Sequence, residues 1–157
     1  MIIGIDPGIS GSIVVLLPDG AFVDALPTPS IKTGKASRVN AAAIVGFLNE
    51  YKDSVEHCYI EQVSAAPIEG RRQGTSSMFS FGHSAGVVEG LIAGMGIPYS
   101  KITPQAWKKS YSLIGKDKDA ARSRAVELYP QVRLLDLKGK GQAIADAIFI
   151  ARHGAGV

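Results

Sequence analysis

Residues 2–11, IIGIDPGISG, decide how the rest of the chain is read. An apolar run from Ile2 to Ile5 ends in Asp6, and Pro7-Gly8 follow at once. The run reads as a short buried strand and Pro-Gly as a turn. Taken singly, an aspartate there is more often a turn or cap residue than a ligand. Yet a carboxylate closing an apolar strand needs a partner, because unpaired buried charge costs several kcal/mol.

Outward from this strand, residues 12–17 read as a second strand, Pro18-Asp19-Gly20 as a turn and 21–26 as a third strand, an antiparallel meander. Residues 27–38 read as a loop with Pro27, Pro29 and Gly34 as breakers; its charges, Lys32, Lys35 and Arg38, are all positive. Asn40 caps a helix over 41–51. Residues 55–63 read as a buried strand carrying Glu61, and 64–75 as a loop holding Arg71 and Arg72. A long helix is expected over 76–95, a strand over 97–102, and a short helix opened by Thr103-Pro104. A helix over 118–129 stops at Pro130, and Lys138 to Lys140 lead into a last helix over 142–153. The order βββ-α-β-α-β-α-α-α predicts an α/β fold with a mixed sheet and helices on its faces.

At 157 residues the chain is expected to be a single domain, 1–157, and its 46% hydrophobic content supplies a core. No apolar run is long enough to span a bilayer, and the N-terminal residues lack a leader's basic start and cleavage site. Cys58 is the sole cysteine, which excludes an internal disulfide and a Cys-based zinc site and suits a reducing, cytoplasmic setting. A net charge of +3 and a pI near 9.0 point mildly to a polyanionic partner.

Three acids share the oddity of Asp6: Glu61 ends the fourth predicted strand, and Asp146 lies early in the apolar last helix, AIADAIFIA. Each alone is more often structural. Together they point to a cation, and oxygen ligands at strand ends suit Mg²⁺ or Mn²⁺. Two such ions about 4 Å apart are the usual clamp for phosphodiester cleavage.

Between Lys101 and Arg124 stand seven cations, Lys101, Lys108, Lys109, Lys116, Lys118, Arg122 and Arg124, against Asp117 and Asp119. Lys138 and Lys140 add to them. Such a cluster suits a phosphate backbone. Trp107 beside Lys108 is expected to be a packing anchor. In the helix over 76–95, Gly82, Gly86, Gly90 and Gly94 recur every four residues, at about 1 kcal/mol each in helix propensity. Close backbone approach must compensate, either by the protein's own sheet or by the same helix of a second copy.

The element order and the three acids resemble the RNase H-like nuclease fold. More narrowly, IIGIDPGISGSIVV, YIEQV, the MFSFG…GIPYSKITPQAWKK block and IADAIFIARHG resemble the RuvC-type Holliday junction resolvases, especially the shorter phage-type branch, over nearly the whole chain. The resemblance implies an RNase H-like mixed five-stranded sheet with helices on both faces. It also implies a metal-dependent endonuclease, present in the cytoplasm of a bacterium or phage-infected cell, that nicks four-way DNA junctions as a homodimer formed through the 76–95 helix. Asp6, Glu61 and Asp146 match the metal ligands for two Mg²⁺ (or Mn²⁺) ions, and Lys108 or Lys109 matches a lysine near the active site. Arg71-Arg72 falls where a junction-probing loop would be; Lys101, Lys116, Lys118, Lys138 and Lys140 would meet DNA.

Two departures follow from the same comparison. The family's fourth ligand lies three residues before the last aspartate, where this chain has Ala143 with Gln142 beside it. Asp136 is a possible replacement, while His153, about 10 Å along the helix from Asp146, is a poor one. An aromatic residue expected after the IEQV-type motif is Ser64; Phe79 or Phe81 could serve, with core packing expected for at least one. These departures keep two alternatives open: a broader branched-DNA or flap endonuclease, and a non-catalytic junction-binding protein. A small ATP-binding relative is disfavoured, because no Gly-rich nucleotide loop follows in the second half.

Overall fold

The computed structural model describes residues 1–34, 36–64 and 74–157. The meander forms as its alternating pattern requires: β1 (Ile2–Asp6) pairs antiparallel with β2 (Ser12–Leu16), and β2 with β3 (Phe22–Pro27). Residues 27–38 depart from the expected loop. Instead of a loop, β4 (Ser30–Thr33) and β5 (Ala36–Val39) form a two-stranded ribbon, with Gly34 at φ +62° in its turn. The Asn40 N–H donates to the Pro29 carbonyl and closes the ribbon's base. The four residues of β4 are exposed, so no buried face marks it in the sequence.

Beyond the ribbon, α1 (Ala41–Asn49) is capped by Asn40, whose side chain accepts from the Ala43 N–H. Next come β6 (His57–Glu61), α2 (Thr75–Gly94), β7 (Tyr99–Ile102), α3 (Pro104–Ser110), α4 (Ala120–Leu128) and α5 (Lys138–Ala155). Thr103 caps α3 as its hydroxyl and the following proline predict. The last helix begins four residues earlier than expected, so Lys138 and Lys140 lie in its first turn and not in a lead-in.

The main sheet has the order β3-β2-β1-β6-β7, with β1, β6 and β7 parallel. It is the expected mixed five-stranded sheet, covered on both faces. Strand periodicity assigns the faces. Ile2, Val14 and Leu16 pack under Trp107, α4 and α5; Ile3, Ile5, Ile13 and Val15 pack under α1 and α2. Gly4 lies under α5 so closely that a Cβ there would run into the Ala147 carbonyl and come 2.7 Å from the Ala151 Cβ. Likewise Gly154 leaves room for the Tyr59 ring. The central strands are thus clamped beneath α5, and Asp6, two residues beyond Gly4, emerges on the α5 side at the carboxyl end of β1.

Candidate active site

Asp6 and Glu61 end adjacent parallel strands, the edge at which open α/β sheets place their sites. The register pairs Ile2 with His57 and Gly4 with Tyr59, so the same two-residue step carries Asp6 and Glu61 to one face. Asp146 reaches this edge from the third turn of α5. The buried Ser12 hydroxyl fixes the helix's depth by donating to the Ala143 carbonyl at 2.8 Å.

Asp6 and Asp146 feel the charge of the neighbouring acids. Burial, followed by repulsion from Glu61, pushes the Asp6 carboxyl up to about 6, against the Gly8 backbone N–H and the Lys108 charge. Burial, then the charges of Asp6 and Glu61, pushes Asp146 up to about 7; Lys108 and the Gln142 amide oppose this. Burial raises Glu61 as well, opposed by a hydrogen bond from Trp107 and by Lys108. Each carboxylate is therefore short of positive charge.

Two N–H donors hold two of them. Trp107 Nε1 donates to Glu61 Oε2 at 2.6 Å, and Gln142 Nε2 donates to Asp146 Oδ1 at 2.9 Å. The sequence reads Trp107 as a packing anchor, and it is buried as one. Its bond to an acid 46 positions away carries no local signal. Gln142 leaves Oε1 buried without a partner among the described residues.

Two clefts meet here. A larger one of about 930 Å³ is lined by Asp6 and Asp146, by Lys118, Lys138 and Lys140, and by Pro27 to Ser30. A smaller one of about 410 Å³ is lined by Trp107, Lys108, Lys116, Lys118 and Asp146 among others. Gln142 and Asp146 border both. Asp119, which nothing in its local sequence separates from its neighbours, also lines the larger cleft. Glu61 lines neither.

Other expected site residues lie differently. Lys108 sits with its ammonium 5.2 Å from the Trp107 ring centroid. Lys109 is exposed and lines neither cleft. Lys101 lines neither cleft, and its ammonium binds Glu89 at 2.7 Å. Arg122 and Arg124 donate to the Leu135 and Tyr111 carbonyls. Asp136 pairs with Arg133 on the surface at 3.6 Å, which removes it as the substitute ligand. The His153 ring bonds to Ser110. Phe79 and Phe81 are 65% and 40% exposed, so neither is a core residue. Arg71 and Arg72 fall outside the described residues.

The donor set fits a hard divalent cation in its chemistry. It is oxygen-only, desolvated and mutually repelling, and the partnerless Gln142 oxygen stands beside it. No three metal-binding side chains close into a compact cluster among the described residues.

No family model matches the chain, and no curated protein matches it. Solved structures do. RuvC from Thermus thermophilus in complex with a Holliday junction substrate aligns over 98% of this chain and 91% of its own, at 18% identity and a TM-score of 0.61. Another Thermus thermophilus RuvC structure aligns over 98% and 92%, at 20% identity and a TM-score of 0.51. The chain therefore has the fold of RuvC, the RNase H-like architecture expected from its element order and three acids.

Proposed function

We propose that the chain is a divalent-cation-dependent DNA endonuclease that resolves four-way junctions, acting as one domain per subunit of a homodimer. The convergence of Asp6, Glu61 and Asp146 at the carboxyl edge of the parallel strands carries the proposal, in a fold like that of a RuvC solved on a Holliday junction. Asp6, Glu61 and Asp146 would hold Mg²⁺ or Mn²⁺, with two ions expected. When bound, such ions supply Lewis acidity toward a phosphodiester.

The chain's own groups do the rest. Lys108, whose charge already acts on all three acids, offsets charge developing at phosphorus. Lys116, Lys118, Lys138 and Lys140 hold the backbone along the clefts. Lys138 and Lys140 occupy a helix first turn, where the macrodipole disfavours cations, and no acid accompanies them there. Their placement is poor for helix stability and good for an anion. Lys101 and Lys109 are left out of this surface.

Self-association is assigned to α2. Its buried side is Ser84, Val88 and Ile92, while Gly82, Gly86, Gly90 and Gly94 have nothing within 4 Å among the described residues. The ladder is not seated on the chain's own sheet, which leaves a second copy to cover it.

A synthetic four-way junction incubated with Mg²⁺ or Mn²⁺ tests the proposal. Symmetric paired nicks, lost in Asp6→Asn, are expected. The buried Ala143 at the fourth-ligand position favours a second reading, a junction binder or a less selective branched-DNA nuclease. Binding without nicks, or equal cutting of flaps and forks, would select it.

A further inference from the structure

Trp107 is the only tryptophan in the chain. Its ring is buried and lies nearly parallel to Phe149, 6.5 Å between centroids. Any large apolar side chain could fill that volume. What an indole adds is a single N–H, which needs an acceptor when buried. The acceptor is Glu61 Oε2 at 2.6 Å, at the short end for an N–H donor to a carboxylate. Glu61 sits at the end of β6, and the indole commits one of its two oxygens and thereby the plane of its carboxylate. Partners of this kind orient metal ligands from outside the coordination shell.

We infer that Trp107 is a positioning residue for Glu61. Its N–H fixes Oε2 so that Oε1 is left to serve a divalent cation, and the indole reports the ion's arrival through its fluorescence. The inference rests on the cation-binding reading of Asp6, Glu61 and Asp146. Lys108, stacked over the same ring, couples the indole to a second charged group of the site.

The test uses the full chain. Mg²⁺ is titrated against tryptophan emission, and Mn²⁺ binding is measured by calorimetry. Because there is one tryptophan, global replacement by benzothienylalanine changes position 107 alone, keeping the ring's shape and deleting the N–H. Trp107→Phe is a second donor-free variant, and thermal melting verifies that each is folded. In the wild type, emission should change saturably with Mg²⁺, and Asp6→Asn should lose both that change and the Mn²⁺ heat. Both donor-free proteins should bind Mn²⁺ about 10–100-fold more weakly. Their kcat on the junction should fall by a similar factor with KM for the junction unchanged. Wild-type Mn²⁺ affinity in the benzothienylalanine protein overturns the inference while leaving the cation site standing. So does a raised KM with kcat unchanged, the mark of a packing defect. Absence of any ion binding by the wild type removes the cation reading and the inference with it.

Discussion

The two long helices, α5 and α2, both carry small residues on one side and use them in opposite ways. On α5, Ala147, Ala151 and Gly154 bring the helix down onto Gly4 and Tyr59, closer than any Cβ at Gly4 or Gly154 would allow. On α2, the buried stripe is Ser84, Val88 and Ile92, and the glycines face the other way into open space. Small residues on a helix mean close approach in both cases. A single chain accounts for the approach on α5, and on α2 it does not. One helix closes on its own sheet; the other, on the proposed reading, would meet a second copy.

The largest expected effect lies on the α5 side. Asp6→Asn or Asp146→Asn should lower junction cleavage by more than the roughly 10–100-fold that loss of an outer partner costs, with the melting temperature kept or raised, since each removes a repelling charge. Lys108→Ala should lower kcat about a hundredfold, measured in single-turnover cleavage. Gly4→Ala should destabilise by about 3 kcal/mol in urea titration, because the new methyl meets helix backbone that cannot rotate away. An equal cost for Gly86→Ala would erase the distinction between the two helices.

Proton linkage sharpens it further. Asp6 and Asp146 bind protons more tightly folded, near 6 and 7, than unfolded, near 3.8. Their contribution is therefore full below pH 4 and is lost as pH rises through 6 to 7. Without divalent ions the chain should lose stability as pH rises from 4 to 7, by at most about 3 kcal/mol through Asp6 and about 4 kcal/mol through Asp146. Added Mg²⁺ should restore stability at pH 8 far more than at pH 5; thermal melts at the two values measure this. The smallest effect belongs to α2. Gly86→Ala should raise the denaturation free energy of dilute chain by no more than about 1 kcal/mol while weakening self-association in sedimentation.

Much of this was legible in the residues. Apolar runs broken by Pro-Asp-Gly mark the meander, and Asn40 and Thr103-Pro104 mark their helices, because strand burial and capping are local physics. The acids could be chosen from context alone, since a carboxylate within an apolar run is costly wherever the chain folds. The β4–β5 ribbon was hidden because its four-residue strands carry no alternating buried face. The start of α5 was hidden by Gly139 and Gly141, which weaken a helix signal that tertiary packing overrides. Pairings such as Trp107 with Glu61 and Lys101 with Glu89 join segments far apart in the chain, and only the fold reveals them. The latter also shows how a basic cluster read by counting mixes free cations with neutralised ones.

Gly4 has one further consequence. It holds no catalytic group, lies inside the sheet and would be filed with the core. Yet it sets the spacing between the strand that carries Asp6 and the helix that carries Asp146, like a shim of zero thickness between two machined parts. A methyl there would open the gap, and misplacement of about 1 Å is enough to slow an enzyme a hundredfold. If the acids react as proposed, tolerance for error among them is set two residues away, by an atom that is absent.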